Sequence, residues 1–135
     1  MVNATDLEII ENLRDDFRQI TGKYRKKVFE KKNYGISFVF NRLSLNKLGC
    51  IKSIYNSKRN GFSVEEHFES SKHIKELFEK SEVIGQWYRK KTYLRAETIH
   101  LCRTEIDKNK YAFITVVTWG KDEGYIDLYL SKDGE

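Results

Sequence analysis

The chain has no proline and only two cysteines, Cys50 and Cys102, in 135 residues. The missing proline excludes no function class. The cysteines exclude more: with no C-x-x-C and no paired framework, they support neither a disulfide scaffold nor a cysteine-built zinc site. No apolar run approaches the roughly 20 residues that a membrane helix needs. The opening "MVNATDLEII" also lacks the charged-then-apolar layout of a signal peptide. A cytoplasmic protein without a membrane partner is therefore expected. G-x-x-x-x-G-K, H-E-x-x-H and G-x-S-x-G are absent too, so neither a phosphate loop, a zinc protease helix nor a nucleophile elbow is encoded. No cofactor or metal is expected, and no internal repeat or low-complexity tract divides the chain.

What is present suits one globular domain: 39% hydrophobic and 13% aromatic residues, enough for a single core over residues 1–135. The net charge of +5 is unevenly spread. Residues 1–16 hold five acids against Arg14. Residues 18–32 hold seven basic groups (Arg18, Lys23, Arg25, Lys26, Lys27, Lys31, Lys32) against Glu30. Smaller clusters are Lys58 with Arg59, and Arg89 with Lys90 and Lys91. Such clusters suit a polyanion, RNA or another nucleic acid above all, and equally a merely solvated helical face.

Thr5 with Glu8 reads as a capping box opening a first helix, whose stripe is Ile10, Leu13, Phe17, Ile20 and Tyr24. "YGISFVF" reads as a strand. Ser44 is expected to cap a second helix with Leu45, Leu48, Ile51, Ile54 and Tyr55 inside, broken by the Asn60-Gly61 turn. Ser63 and Glu66 form another capping box before a third helix. After Ser81 the texture turns to strands near 83–89, 94–106, 110–119 and 124–131, joined by short loops. Helices followed by a meander predict an α+β fold, with N-terminal helices packed on one face of a four- to five-stranded antiparallel sheet. The first 33 residues form a helical appendage in this reading, and 34–135 the core.

Alternation along the strands assigns faces. Ile126, Leu128 and Leu130 should meet the helices, as should Ile99 with Leu101 and Ala112 with Ile114 and Val116. The opposite face would then carry Thr98, His100, Cys102, Thr104, Tyr111, Phe113, Thr115, Tyr125, Asp127 and Tyr129. Rings and hydroxyls around one titratable base suit single-stranded RNA, although ordinary cross-strand pairs look the same. A bulge in 110–119 would reverse that strand and bring Thr118 to His100. Cys102 beside His100 is a poor nucleophile pair, because i and i+2 side chains stand roughly 7 Å apart.

From Ile36 onward the chain resembles a domain of large phage and mobile-element polyvalent proteins. The resemblance is carried by "IKSIYNSKRNGFSVEEHFESSKHIKELFEKSEV", then by "ETIHLCRTEI" and "KYAFITVVT". It implies kinship with the barnase, EndoU, colicin and RelE class of nucleases, and hence metal-independent RNA cleavage, tRNA included, on the open sheet face. On that reading His100 serves as base or acid. Thr115 holds a phosphate oxygen, Asp127 orients the imidazole, and Arg95, Lys90 and Lys91 offset the developing charge. Tyr111 or Tyr129 stacks a base, while Lys26 and Lys27 attract the polyanion. One departure stands out: the sheet has no second histidine, since His67 and His73 fall in the third helix as packing or surface residues. The alternative is a module that binds nucleic acid or a protein, such as a host factor or an inhibitor, without cleaving anything.

Overall fold

A computed structural model describes residues 2–91 and 95–132, with the backbone alone for 90, 91 and 95. Asn3, not Thr5, opens the first helix, α1 (Ala4–Thr21): its side chain accepts from Asp6 N–H at 2.9 Å, and the Asp6 carboxylate accepts from Asn3 N–H at 3.0 Å. The reciprocal pair satisfies two amides the helix cannot bond itself. Ile10, Phe17 and Thr21 are buried on the inner stripe, while Ile20 lies beside that stripe and stays exposed. Phe17 stacks at a tilt on Phe68, 5.3 Å between centroids, and presses on Gly49, where a Cβ would stand 3.3 Å from the ring. Burying such a ring is worth roughly 1.5–3 kcal/mol.

A small hairpin follows, β1 (Val28–Lys31) with β2 (Ile36–Val39). Only β2 was expected. β1 hides among the basic residues, because Phe29 alone of its four side chains is fully buried. The expected second helix is two, α2 (Arg42–Leu48) and α3 (Ile51–Arg59), split at Gly49-Cys50. Asn41 caps α2. The third is also two, α4 (Val64–Lys72) and α5 (Ile74–Lys80), and the Ser63–Glu66 capping box opens α4 as expected.

The sheet is an antiparallel meander of β3 (Glu82–Lys91), β4 (Arg95–Asp107), β5 (Lys110–Trp119) and β6 (Glu123–Ser131) in sequence order. The architecture is α+β, as expected, with the two-stranded hairpin added. One core cluster joins α1, the hairpin, α2 to α5 and the inner rows of β4, β5 and β6.

The outer edge of β6 is closed by side chains rather than by a strand. Ser44 Oγ accepts from Ile126 N–H at 3.2 Å and Ser57 Oγ from Leu130 N–H at 2.9 Å, while Asn60 donates to the Leu130 carbonyl at 2.9 Å. Unpaired edge amides invite strand addition, so these hydroxyls keep β6 terminal. Ser44 is therefore an edge cap inside α2, not the helix cap the sequence suggested. Among the described residues no helix is long and apolar enough to cross a membrane.

Candidate nucleic-acid interface

The faces of the sheet follow from its register, since directly opposed residues share a side. His100 pairs with Val116 and Val116 with Ile126; Cys102 pairs with Ile114 and Ile114 with Leu128. Those partners belong to the core, so His100, Thr98, Cys102 and Thr104 lie on the helix side. This reverses the expected placement of all four.

The cause is a bulge. The turn pairs Asp107 with Lys110, but beyond it Glu105 opposes Tyr111, which leaves Ile106 as an extra residue. Without that residue Leu101 would face Val116, as strict alternation predicts. One inserted position flips every side chain of the strand. The expected outer positions in β5 and β6 are unaffected: Tyr111, Phe113, Thr115, Tyr125, Asp127 and Tyr129 share the open side with Ile99 and Leu101.

His100 is 1% exposed, and neither ring nitrogen has a hydrogen-bond partner of good geometry among the described residues. Burial holds the imidazole below its ordinary pKa, opposed by a weaker pull from the Tyr34 backbone carbonyl. Thr115 and Asp127 are direct neighbours across β5 and β6, on the other side of the sheet from His100. Asp127 accepts from Ser53 Oγ at 2.6 Å and from Leu128 N–H at 2.8 Å, and burial raises its carboxyl above the usual range. It orients α3 on β6 rather than an imidazole. The side chains of Lys90, Lys91 and Arg95 lie outside the described residues.

On the open side Phe113 and Tyr129 stack at 5.3 Å with planes 7° apart, so one face of Tyr129 is already occupied. Tyr111 is half-buried. Strand pairing also joins Arg89, of the basic cluster expected to meet a polyanion, to Glu97, which sequence reading missed as a site residue. The Glu97 side chain is fully buried and accepts from Arg89 Nε at 2.9 Å and Nη2 at 2.6 Å. Only the hairpin register makes them neighbours, and Glu97 looks like any strand carboxylate until that register is known.

Of the other two histidines, His67 serves packing and His73 lies on the helix surface. His67 Nε2–H donates to the Leu48 carbonyl at 2.8 Å, which fixes the neutral tautomer, so Nδ1 accepts from Ser57 Oγ at 2.7 Å. Burial pushes this ring down to a pKa of about 4. His73 is exposed between Glu69 and Glu76. Among the described residues no group of three or more His, Cys, Asp or Glu side chains is placed to hold a metal ion.

The basic segment is arranged differently. Two of the five acids of α1 pair with lysines of other helices, Asp6 with Lys58 and Asp16 with Lys72, the second at 3.0 Å. Arg18, Lys23, Arg25, Lys26, Lys27 and Lys32 are all exposed, and none joins an ion pair among the described residues. Lys31 is the exception in use: its ammonium donates to the Ser81 carbonyl at 2.8 Å and lies over the Phe78 ring. Lys26 sits at φ 69°, a left-handed backbone that costs a side-chain-bearing residue about 1–2 kcal/mol. Two bonds of 2.9 Å hold it there, Lys26 N–H to the Phe40 carbonyl and Phe40 N–H to the Lys27 carbonyl. The result is a rigid cationic corner between α1 and the hairpin.

The model of one family, large polyvalent protein-associated domain 3, matches residues 8–129. The chain belongs to that family. No curated protein and no solved structure gives a significant match. The matched span takes in most of α1 together with the hairpin, the remaining helices and nearly all of the meander.

Proposed function

We propose that this polyvalent-protein domain is a nucleic-acid-binding module of phage or mobile-element origin, which grips RNA through its basic face without cleaving it. One observation carries the reading: six of the seven cations of residues 18–32 are exposed and none of the six joins an ion pair among the described residues, while two acids of α1, Asp6 and Asp16, are held by Lys58 and Lys72. Uncompensated positive charge on a soluble surface is repelled by itself and attracts polyanions, with phosphates displacing counterions. Lys26 and Lys27 stand at the centre of this face.

Cleavage is disfavoured by geometry. A base that takes a 2′-OH proton must come within hydrogen-bond reach of it. A ring that is 1% exposed on the helix side cannot touch a strand lying across the open side. Glu97, the buried carboxylate on that side, is engaged by Arg89. The test is a native gel run beside a denaturing gel, with RNA and protein incubated in EDTA. Retarded, intact RNA supports the binder. Shortened RNA refutes it in favour of a nuclease, and unretarded intact RNA leaves a protein-interaction domain as the better account.

A further inference from the structure

Three arginines from separate segments line a single cleft. Arg18 in the last turn of α1, Arg25 just beyond it and Arg42 at the start of α2 surround a space of about 560 Å³, walled also by Gly22, Leu45 and Asn46. No carboxylate lines it. Among the described residues, none of the three guanidinium groups makes an ion pair or a side-chain hydrogen bond within the chain. Three unpaired like charges facing one space repel one another, and they persist because the elements around them are fixed by other contacts. At Gly22 a Cβ would meet nothing within 4 Å, so the cleft opens directly onto the backbone there.

We infer that this cleft seats backbone phosphates of a single-stranded nucleic acid, an assignment that rests on the nucleic-acid-binding reading and locates its main contact. A guanidinium presents a planar fork of donors that matches a pair of phosphate oxygens, and arginine is only weakly hydrated, so three of them suit phosphodiesters better than a diffuse lysine surface does. Asn46 adds an exposed amide that donates and accepts at the rim. The recess selects for flexibility. A duplex is stiff over about 150 base pairs and offers its phosphates from a convex surface, whereas a single strand bends into a concave one.

The test is fluorescence anisotropy with a labelled single-stranded oligouridine of about 12 nucleotides, within the usual range of site sizes. Arg25→Gln and Arg42→Gln should each weaken binding about tenfold or more at low salt, as expected for losing a charge-assisted hydrogen-bonded pair. The log–log salt slope should become shallower by about 0.7 for each contact removed. Arg→Lys at the same positions keeps the charge but loses the fork, and should restore only part of the affinity. Gly22→Phe blocks the cleft with no change of charge. Its backbone is ordinary right-handed helix, so the variant should fold normally yet bind weakly.

A duplex of the same length should bind more weakly than the strand, and equal binding would overturn the single-strand assignment. If wild-type protein binds and Lys26→Glu/Lys27→Glu weakens it, but Arg25→Gln, Arg42→Gln and Gly22→Phe all bind like wild type, the cleft assignment is wrong and the broader reading stands. If wild-type protein binds no RNA, the broader reading itself fails.

Discussion

His67 makes the fold acid-sensitive, and the size of the effect follows from its surroundings. The ring ties α4 to α2 through the Leu48 carbonyl and to α3 through Ser57, whose oxygen in turn accepts from the edge amide of Leu130. Burial leaves its folded pKa at about 4, against 6.5 for the free side chain. Between those values the unfolded chain takes up a proton that the folded chain excludes. The stability from the neutral ring is therefore fully present above pH 6.5 and is lost as pH falls toward 4.

A gap of about 2.5 units at 1.36 kcal/mol each gives a loss of about 3 kcal/mol across that window. His100 is also depressed by burial and adds in the same direction, whereas Asp127 is raised and works oppositely, gaining stability as pH falls. A difference measurement isolates His67: urea unfolding of wild type and His67→Gln, followed by tryptophan fluorescence at about pH 7.5 and about pH 4.5. The variant should be less stable than wild type at the higher pH by about 2–4 kcal/mol, from poorer packing and an imperfectly paired carbonyl and hydroxyl. That deficit should nearly vanish at the lower pH. An equal deficit at both would show that the ring does not titrate across this window and would refute the reasoning.

Ser57→Ala removes both the acceptor for Leu130 N–H and the donor to His67, so a loss of about 2–3 kcal/mol is expected, with faster hydrogen exchange at the Leu130 amide. His100→Leu replaces two buried nitrogens, neither with a well-formed hydrogen bond among the described residues, by carbon of similar volume; unfolding midpoints should stay put or rise, by up to about 1 kcal/mol, and RNA binding should not change. A large destabilisation would reveal a partner for that ring. Lys26→Glu with Lys27→Glu should weaken RNA binding by a factor that shrinks as salt rises, read by anisotropy at two ionic strengths.

The elements were legible because their signals are local. The Ser63–Glu66 box, the Asn60-Gly61 turn and the alternation in β5 and β6 each act within a few residues, and all appear in the fold. What escaped depends on contacts distant in sequence. Ser44 was read as a helix cap because nothing local shows that Ile126 N–H needs an acceptor 82 residues away. β1 was missed because its neighbours are lysines and arginines, and Phe29 finds its partners Phe40 and Phe78 only after folding.

The candidate site suffered more than the fold. A single extra residue at Ile106 inverted β4 and moved His100 from the working face to the core side. Ile99 and Leu101 misled, since the apolar pair of that strand faces away from the helices, where Ile99 is buried all the same. The basic segment was visible from composition, but Arg42 joins Arg18 and Arg25 only because α2 folds back beside the end of α1.

The most direct test of the account is the dissociation constant of the intact chain for a labelled single-stranded RNA, measured in EDTA from about 50 to about 200 mM salt. With three or four phosphates neutralised at about 0.7 each, the log–log slope should be about −2 to −3, and the recovered RNA should be full length. A flat salt profile, an absence of binding, or RNA shortened in the presence of EDTA would contradict the account.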